Sequence, residues 1–437
     1  MGVKTRKLGN LDNQIIEWQS VHVSDGSTAL TTVAGRGYFI DTTSGAQTVN
    51  LPSSPELGDR VSLKDFARTW NTNGVTLASA LLDGNAAQTP EFTTQGITVS
   101  LIYMGNNQGW SLINEDTTTN LGQQYIAATG GTVTESSDFK IHTFTGDGCF
   151  VVSNAGNSGG NDQLEYLVVA GGGAGGSEDS QSVAGGGGGG GGFRFASPSI
   201  APLTYPAKPL AGSTLTAAAQ TYPVTVGGGG ASSCTTASGS NSVFSTITAA
   251  GGGGGGFTGG ANPGPRNGVS GGSGGGASHG ADTPEGIGGS GNTPSVSPPQ
   301  GNNGGGMTNP GTYLGGGGGG AIAAGTNGGN QSGPGGDGGG LPTAFGTNGA
   351  PCGSYRYYSG GGGGGGSSNR PQTGTAGTGG KGGGAAGGAG QSSAPAAATA
   401  NTGGGGGGAG NKYPGGSTLT GSAGGKGIVV IRYKFQN

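Results

Sequence analysis

Few residues in this chain have the type and spacing that chemistry requires. Ser270 stands in Gly268-Val-Ser-Gly-Gly272, the GxSxG spacing of an acyl-transfer nucleophile, with His279 and Asp282 shortly after it. A nucleophile elbow needs a strand before the serine and a helix after it. Neither pattern is present here, and a glycine-dense chain produces this spacing by chance. Lys381 and Lys426 follow glycine but also precede glycine, so the hydroxyl that completes a phosphate-binding loop is missing. Asp337, in Gly335-Gly-Asp-Gly338, is the one aspartate in a context like that of calcium-binding nonapeptide repeats, which need one in every repeat. Of the three histidines, His22, His142 and His279, the second alternates within a strand pattern and reads as structural. Cys149, Cys234 and Cys352 form neither a CxxC pair nor a zinc spacing, and are expected to be small buried residues. No pair of carboxylates suits acid–base work. The expectation is a protein that is not an enzyme and uses no metal or cofactor.

Binding residues are the other kind of candidate. Tyr355-Arg-Tyr-Tyr358 and Arg370, in a loop over 351–371, combine aromatic and guanidinium groups suited to surface recognition. They read equally as aromatics covering a glycine edge. Arg266, in Ala261-Asn-Pro-Gly-Pro-Arg-Asn267, is a further contact candidate, or part of a proline-stiffened turn.

Positioning such residues falls to two different materials. Of the 112 glycines among 437 residues, 17 lie in the first 150 positions and 95 in the remaining 287. The first 150 residues carry 22 charged side chains and all three tryptophans, Trp18, Trp70 and Trp110. Apolar residues make up only 30% overall, which excludes a conventional core of this size, while a net charge of −3 argues against charge-driven disorder. No basic cluster suggests nucleic acid, and no apolar stretch suggests a signal peptide or a membrane span, so neither partner is expected.

Short alternating runs between turn signals fill 20–114, from Tyr38-Phe-Ile40 to Gly109-Trp-Ser-Leu-Ile113. This period of two predicts a small antiparallel β-sandwich or barrel. Residues 1–19 form either a docking arm or a frayed terminus, and 115–135 read as a linker. From 136 to 437 a β frame encloses glycine. Its strands include Phe139-Lys-Ile-His-Thr-Phe144, a turn at Asp147-Gly148, Leu164-Glu-Tyr-Leu-Val-Val-Ala170 and the terminal Gly427-Ile-Val-Val-Ile-Arg-Tyr433. The first and last are expected to share one sheet. The fold class is therefore all-β.

Five glycine runs, 185–192, 251–256, 315–320, 360–366 and 403–408, begin 66, 64, 45 and 43 residues apart. Flexible linkers do not explain five of them, and collagen fails for want of a strict triplet. Extended polyglycine II helices do fit. They have three residues per turn and no internal hydrogen bonds, and lacking side chains they can approach until their backbones bond laterally. Phe193, Phe257, Tyr313, Tyr355, Tyr357 and Tyr358 would cap the edges or point outward from loops. The alternative is a set of disordered loops.

Phe139-Lys-Ile-His-Thr-Phe144, Glu165-Tyr-Leu-Val-Val-Ala-Gly-Gly-Gly173, Tyr222-Pro-Val-Thr-Val-Gly-Gly228, Thr246-Ile-Thr-Ala-Ala-Gly-Gly252 and Gly427-Ile-Val-Val-Ile-Arg-Tyr433 occur in an order that resembles the glycine-rich domain of bacteriophage fibre and adhesin proteins, especially those of phages infecting cyanobacteria. Gly37-Tyr-Phe-Ile-Asp-Thr-Thr-Ser-Gly45 and Gly58-Asp-Arg-Val-Ser-Leu-Lys-Asp65 resemble a small β-module of structural proteins of the same viruses. The resemblance implies a virion protein, trimeric as a rule. Its N-terminal region would attach to other virion proteins and its distal region would face a host-surface glycan or protein. A capsid- or tail-decorating fibre that binds only virion proteins is the alternative.

Overall fold

The computed structural model describes residues 16–113, 124–157, 160–178, 183–202, 204–233, 235–257, 266–278, 286–308, 313–367, 374–390, 394–411 and 419–436. It is an all-β structure that divides into two compact units, residues 1–125 with 156–161, and 126–155 with 162–437.

In the first unit, the successive strands from His22–Val23 to Ala80–Leu82 alternate between an eight-stranded and a four-stranded sheet. Leu30–Thr31, Gln47–Asn50 and Val75–Leu77 stack parallel in one sheet; His22–Val23, Arg36–Asp41 and Arg60–Asp65 stack parallel in the other. Each strand thus serves as the crossover that a parallel pair in the opposite sheet needs. Only toward the end do antiparallel pairs appear, where Thr98–Tyr103 lies between Arg60–Asp65 and Trp110–Leu112. The expected antiparallel sandwich is therefore a mixed one, with no closed barrel. Inward–outward alternation has the same period in parallel and antiparallel pairs, so the pattern could not distinguish them. Ile40, Val61, Leu63, Trp70, Leu77, Val99 and Leu101 are fully buried between the sheets.

The second unit starts earlier than the sequence suggested. Ile126–Thr129 and Thr132–Ser136, assigned to a linker, are strands that pair with Gly148–Ala155 and Phe139–Phe144. The second of them is an exposed edge strand with little apolar alternation, hence its linker-like composition. Phe139–Phe144 pairs antiparallel with the terminal strand Ile428–Lys434, which also pairs with Gln163–Val169, so the two ends share one sheet as expected. One face of this six-stranded sheet packs Tyr166, Val168, Val429, Ile431 and Tyr433 against Phe150, Tyr222, Val224 and Phe244 of a five-stranded sheet. The other face places Ile141, Leu167, Val169, Ile428 and Val430 in a second cluster with Phe193, Phe195, Phe345 and Tyr358. Being covered on both faces, the central strands read as continuous apolar runs.

The glycine runs form an ordered lattice. Gly185, Gly188 and Gly191 donate to the carbonyls of Ala409, Gly406 and Gly403 at 2.8–2.9 Å. Gly186, Gly189 and Gly192 donate to Gly256, Gly253 and Ala250, while Gly187 and Gly190 donate to Gly316 and Gly319. Every third residue addresses the same neighbour, the signature of a helix with three residues per turn. The carbonyls of this segment accept from three further segments, around 359–365, 170–176 and 273–276. The helix over 185–192 therefore has six neighbours and no unpaired backbone group, which meets the requirement for burying backbone.

Room, not backbone twist, makes glycine necessary here. None of the glycines at 185–192 lies in the left-handed φ region, yet a Cβ on any of them would come under 3.0 Å from a neighbouring backbone or polar atom. At the lattice edge, side chains stand in for the missing helix. The Oδ1 atoms of Asn241, Asn267, Asn303 and Asn327 accept from the backbone N–H groups of Gly251, Ile287, Gly291 and Gly306. Asparagine and serine among the glycines are thus lattice terminators.

Candidate functional site

The lattice register fixes which residues can gather. Segments 170–176, 250–256, 273–276, 359–365 and 403–409 all run antiparallel to 185–192, while 316–319 runs parallel to it. Since 185–192 leads directly into the sheet strand Phe193–Ala196, its antiparallel neighbours run away from the sheets. The described helix ends at Glu178, Phe257, Ser278, Thr308, Ser367 and Asn411 consequently all lie at the end of the lattice remote from the sheets. Ser177, Glu178, Ser278, Ser367 and Asn411 are buried polar residues at these ends. Glu178 N–H bonds the carbonyl of Leu419 at 2.8 Å, Asn411 N–H that of Gly366 at 2.8 Å, and Asn411 Nδ2 the Ser367 hydroxyl at 3.3 Å. These bonds tie the helices together at their tips.

The loop proposed over 351–371 is split by this geometry. Tyr355–Tyr358 is a strand of a three-stranded tongue with Gly339–Pro342 and Ala350–Cys352, and it precedes the outgoing helix, so it lies at the sheet end. Arg370 lies outside the described residues. Tyr358 is 2% exposed, its hydroxyl donates to the Asn348 carbonyl at 2.7 Å, and burial holds its phenol well above the usual range. Tyr357 is 7% exposed, beneath the Lys381 ammonium at 5.8 Å. Both cover the sheet and lattice, so the reading of these aromatics as a glycine-edge cover is the one the burial favours. Tyr355 and Arg356 are half-buried on the same strand. Arg266 opens an inward-running helix at the remote end, where its carbonyl accepts from Ser278 N–H at 2.9 Å. Of the edge aromatics, Phe193 is likewise buried, in the sheet-face cluster.

Of the residues with nominal catalytic spacing, Ser270 serves the scaffold. Ser270 Oγ accepts from Ser290 N–H at 3.1 Å; His279 and Asp282 lie outside the described residues. His142 is fully buried, with Nδ1 2.7 Å from the Gly130 carbonyl and Nε2 3.1 Å from the Tyr433 hydroxyl. The carbonyl fixes the proton on Nδ1, leaving Nε2 to accept. Burial lowers the imidazole pKa against the opposing effect of that bond, with Lys140 lowering it further. On the opposite face of the sheet, Arg432 pairs with Glu165 directly across two strands, both 5% exposed. Ser197 Oγ and Ser199 Oγ donate to the same carboxylate at 2.9 and 2.6 Å, and the guanidinium lies 3.4 Å from the Phe139 ring centre. Nearby, burial pushes the Tyr205 hydroxyl up to about 12, with a contribution from Glu165.

The cysteines correct an expectation. Cys149 and Cys352 are exposed free thiols, and Cys234 lies outside the described residues. Cys149 sits on the outward phase of a strand whose inward phase is Phe150 and Val152, an alternation visible in the sequence. Among the described residues no three His, Cys, Asp or Glu side chains group as metal ligands, and no helix is long and apolar enough to cross a membrane.

Residues 154–434 match the family model of the glycine-rich domain. The chain belongs to that family. The match covers the lattice and most of the sheets that hold it, so the glycine-rich domain is the structural unit built around 185–192. No curated protein matches the chain. What sequence reading missed in the glycine-rich domain is the gathering of helix ends remote from the sheets. The antiparallel order of the helices would have revealed it, and no local motif encodes that order.

Proposed function

We propose that this chain is a virion fibre protein, a tail fibre or adhesin, that presents loops on a glycine scaffold for recognition of a host-cell surface. The observation that carries this reading is the gathering of the described helix ends at Glu178, Phe257, Ser278, Thr308, Ser367 and Asn411 at the lattice end remote from the sheets. A lattice with bonded backbone and almost no side chains is stiff, and loops anchored on it meet a partner with little ordering cost. The sequence that joins these helix ends to the next helices includes Arg266, His279, Tyr313, Arg370 and Tyr413, side chains suited to polar and stacking contacts with a surface glycan or protein. Trimerisation would multiply weak contacts. Attachment to other virion proteins is assigned to the N-terminal unit, where Trp18 stacks on Phe39 at 4.6 Å and Phe39 meets Phe66 at 6.3 Å, with Trp18 and Phe66 each about half exposed. Exposed aromatic rows of this kind mark protein contacts more often than solvent-facing surface.

This role is non-catalytic and needs no cofactor. In this reading the recognition residues are carried by the sequence that joins the remote helix ends, in preference to Tyr357 and Tyr358, which are buried. The test is competition. Purified protein should block adsorption of the virus to its host, and exchanging Lys412–Leu419 for a glycine–serine segment should abolish that block. Saturation of cells with no effect on adsorption would leave the alternative, a decorating fibre that binds only other virion proteins.

A further inference from the structure

The N-terminal unit contains a cleft of its own. Residues from the ends of both its sheets line a cavity of about 300 Å³, at the small end of the range for ligand pockets. Its apolar wall is built from Tyr103 and Trp110, directly opposed on neighbouring strands with ring centres 5.5 Å apart. Tyr103 donates its hydroxyl to Asn106 Oδ1 at 2.7 Å, which fixes the ring, and Pro52 closes the side of the cavity beyond the strand Gln47–Asn50.

The rim is polar. Asn50, Ser53 and Ser79 line it, and among the described residues neither serine hydroxyl has an intramolecular partner. Asn50 spends one amide hydrogen on Thr31 Oγ1 at a long 3.4 Å, and its Oδ1 accepts nothing from the described residues. Among the described residues, no Asp, Glu, Lys or Arg lines the cavity. An ionic ligand would lose hydration with no opposite charge to replace it. A wholly apolar ligand would strip water from three rim groups without pairing them, which costs affinity. The chemistry left is a neutral molecule with one C–H face and several hydroxyls.

We infer that this cleft binds one ring of a neutral saccharide, with a C–H face against Tyr103 and hydroxyls at Asn50, Ser53 and Ser79. It is a second recognition site, independent of the connections at the lattice end. An aromatic face supplies area and orientation, and the rim supplies donors and acceptors that distinguish a hydroxylated ring from a hydrocarbon.

The experiment uses the full chain labelled with 5-fluorotryptophan. Its three tryptophans give three fluorine resonances, with that of Trp110 assigned by Trp110→Phe. Glucose, galactose, mannose and their neutral disaccharides are titrated, with glucuronate as the charged counterpart. The expected result is a saturable shift of the Trp110 resonance alone with at least one neutral sugar. Affinity should fall about tenfold or more in Asn50→Ala or Ser53→Ala and for glucuronate. Both substitutions are at the rim and leave the core intact, so Trp70 should keep its resonance. The inference is overturned if no neutral sugar moves Trp110, if all three resonances move together, if the rim variants bind as the parent does, or if glucuronate binds as well as the neutral sugars.

Discussion

Leu63 and Gly188 occupy comparable places, each fully buried at the centre of its unit, and each is there for the opposite reason. Leu63 fills space between two sheets with a side chain that leaves water. Gly188 leaves space empty so that backbones can meet, donating to Gly406 and accepting from Gly362 at 2.8 Å. A side-chain core scales with apolar area and tolerates changes of shape by partial repacking. A backbone core depends on the close approach of helix axes, which bonds of 2.7–3.1 Å to six neighbours hold in place, so it cannot relax at one position alone. The lattice must also offset glycine's ordering cost, roughly 1–2 kcal/mol per residue, with net bonding of about 0.5–1.5 kcal/mol per hydrogen bond. That balance is close, which explains why the lattice is clamped at the sheet end by strands with full apolar cores.

The comparison is most exposed at Gly188. Gly188→Ala places a methyl against the Gly173 carbonyl, and the domain should lose 4–5 kcal/mol or more (order of magnitude), as seen by thermal unfolding and native-state proteolysis. A well-folded Gly188→Ala protein would break the account of a backbone core. In the N-terminal unit, Leu63→Ala should cost about 2–5 kcal/mol, the range of an ordinary cavity, with the glycine-rich domain unaffected. Calorimetry sharpens the contrast. The lattice buries little apolar surface, so heat capacity on unfolding of the glycine-rich domain should lie below the usual roughly 12–15 cal/mol/K per residue.

Acid provides a smaller effect, specific to the sheets of the second unit. His142 has a folded pKa below its unfolded value of 6.5, so below that pH the unfolded chain binds more protons than the folded one. Its contribution is complete above about pH 6.5 and is lost as pH falls from there toward the folded pKa. The slope from this one group is at most about 1.4 kcal/mol per pH unit. Denaturant midpoints measured across this window check it, and an imidazole that titrates at 6.5 in the folded protein would refute it. The smallest effect is expected at Thr378, on the solvent side of an outer lattice helix. Thr378→Ala should change stability by no more than about 0.5 kcal/mol in the same thermal assay.

Much of this architecture was legible before any coordinates. The alternation in Phe139–Phe144 and the apolar run at 428–433 identified the two strands that share a sheet, because a strand buried on both faces leaves an unmistakable composition. Linker-like polarity hid Thr132–Ser136, since an exposed edge strand has no face to mark. The site was less legible. Tyr355–Tyr358 carried the chemical signal of a contact loop, yet a tyrosine that covers a sheet and one that meets a partner have the same sequence. Only the hydrogen bond of Tyr358 to Asn348 and its burial separate the two roles.

The sequence by itself determined the materials: a side-chain core in the first part, glycine in the second, and strands at both ends of the glycine to hold it. Composition and period are local properties, and local physics reads them. Tertiary structure alone decided that strands in the N-terminal unit stack parallel, which six segments surround 185–192, and which helix ends lie together. Those are matters of chain direction and neighbour choice. Glycine is the same residue in every helix of the lattice, so it carries no information about which helix lies beside which.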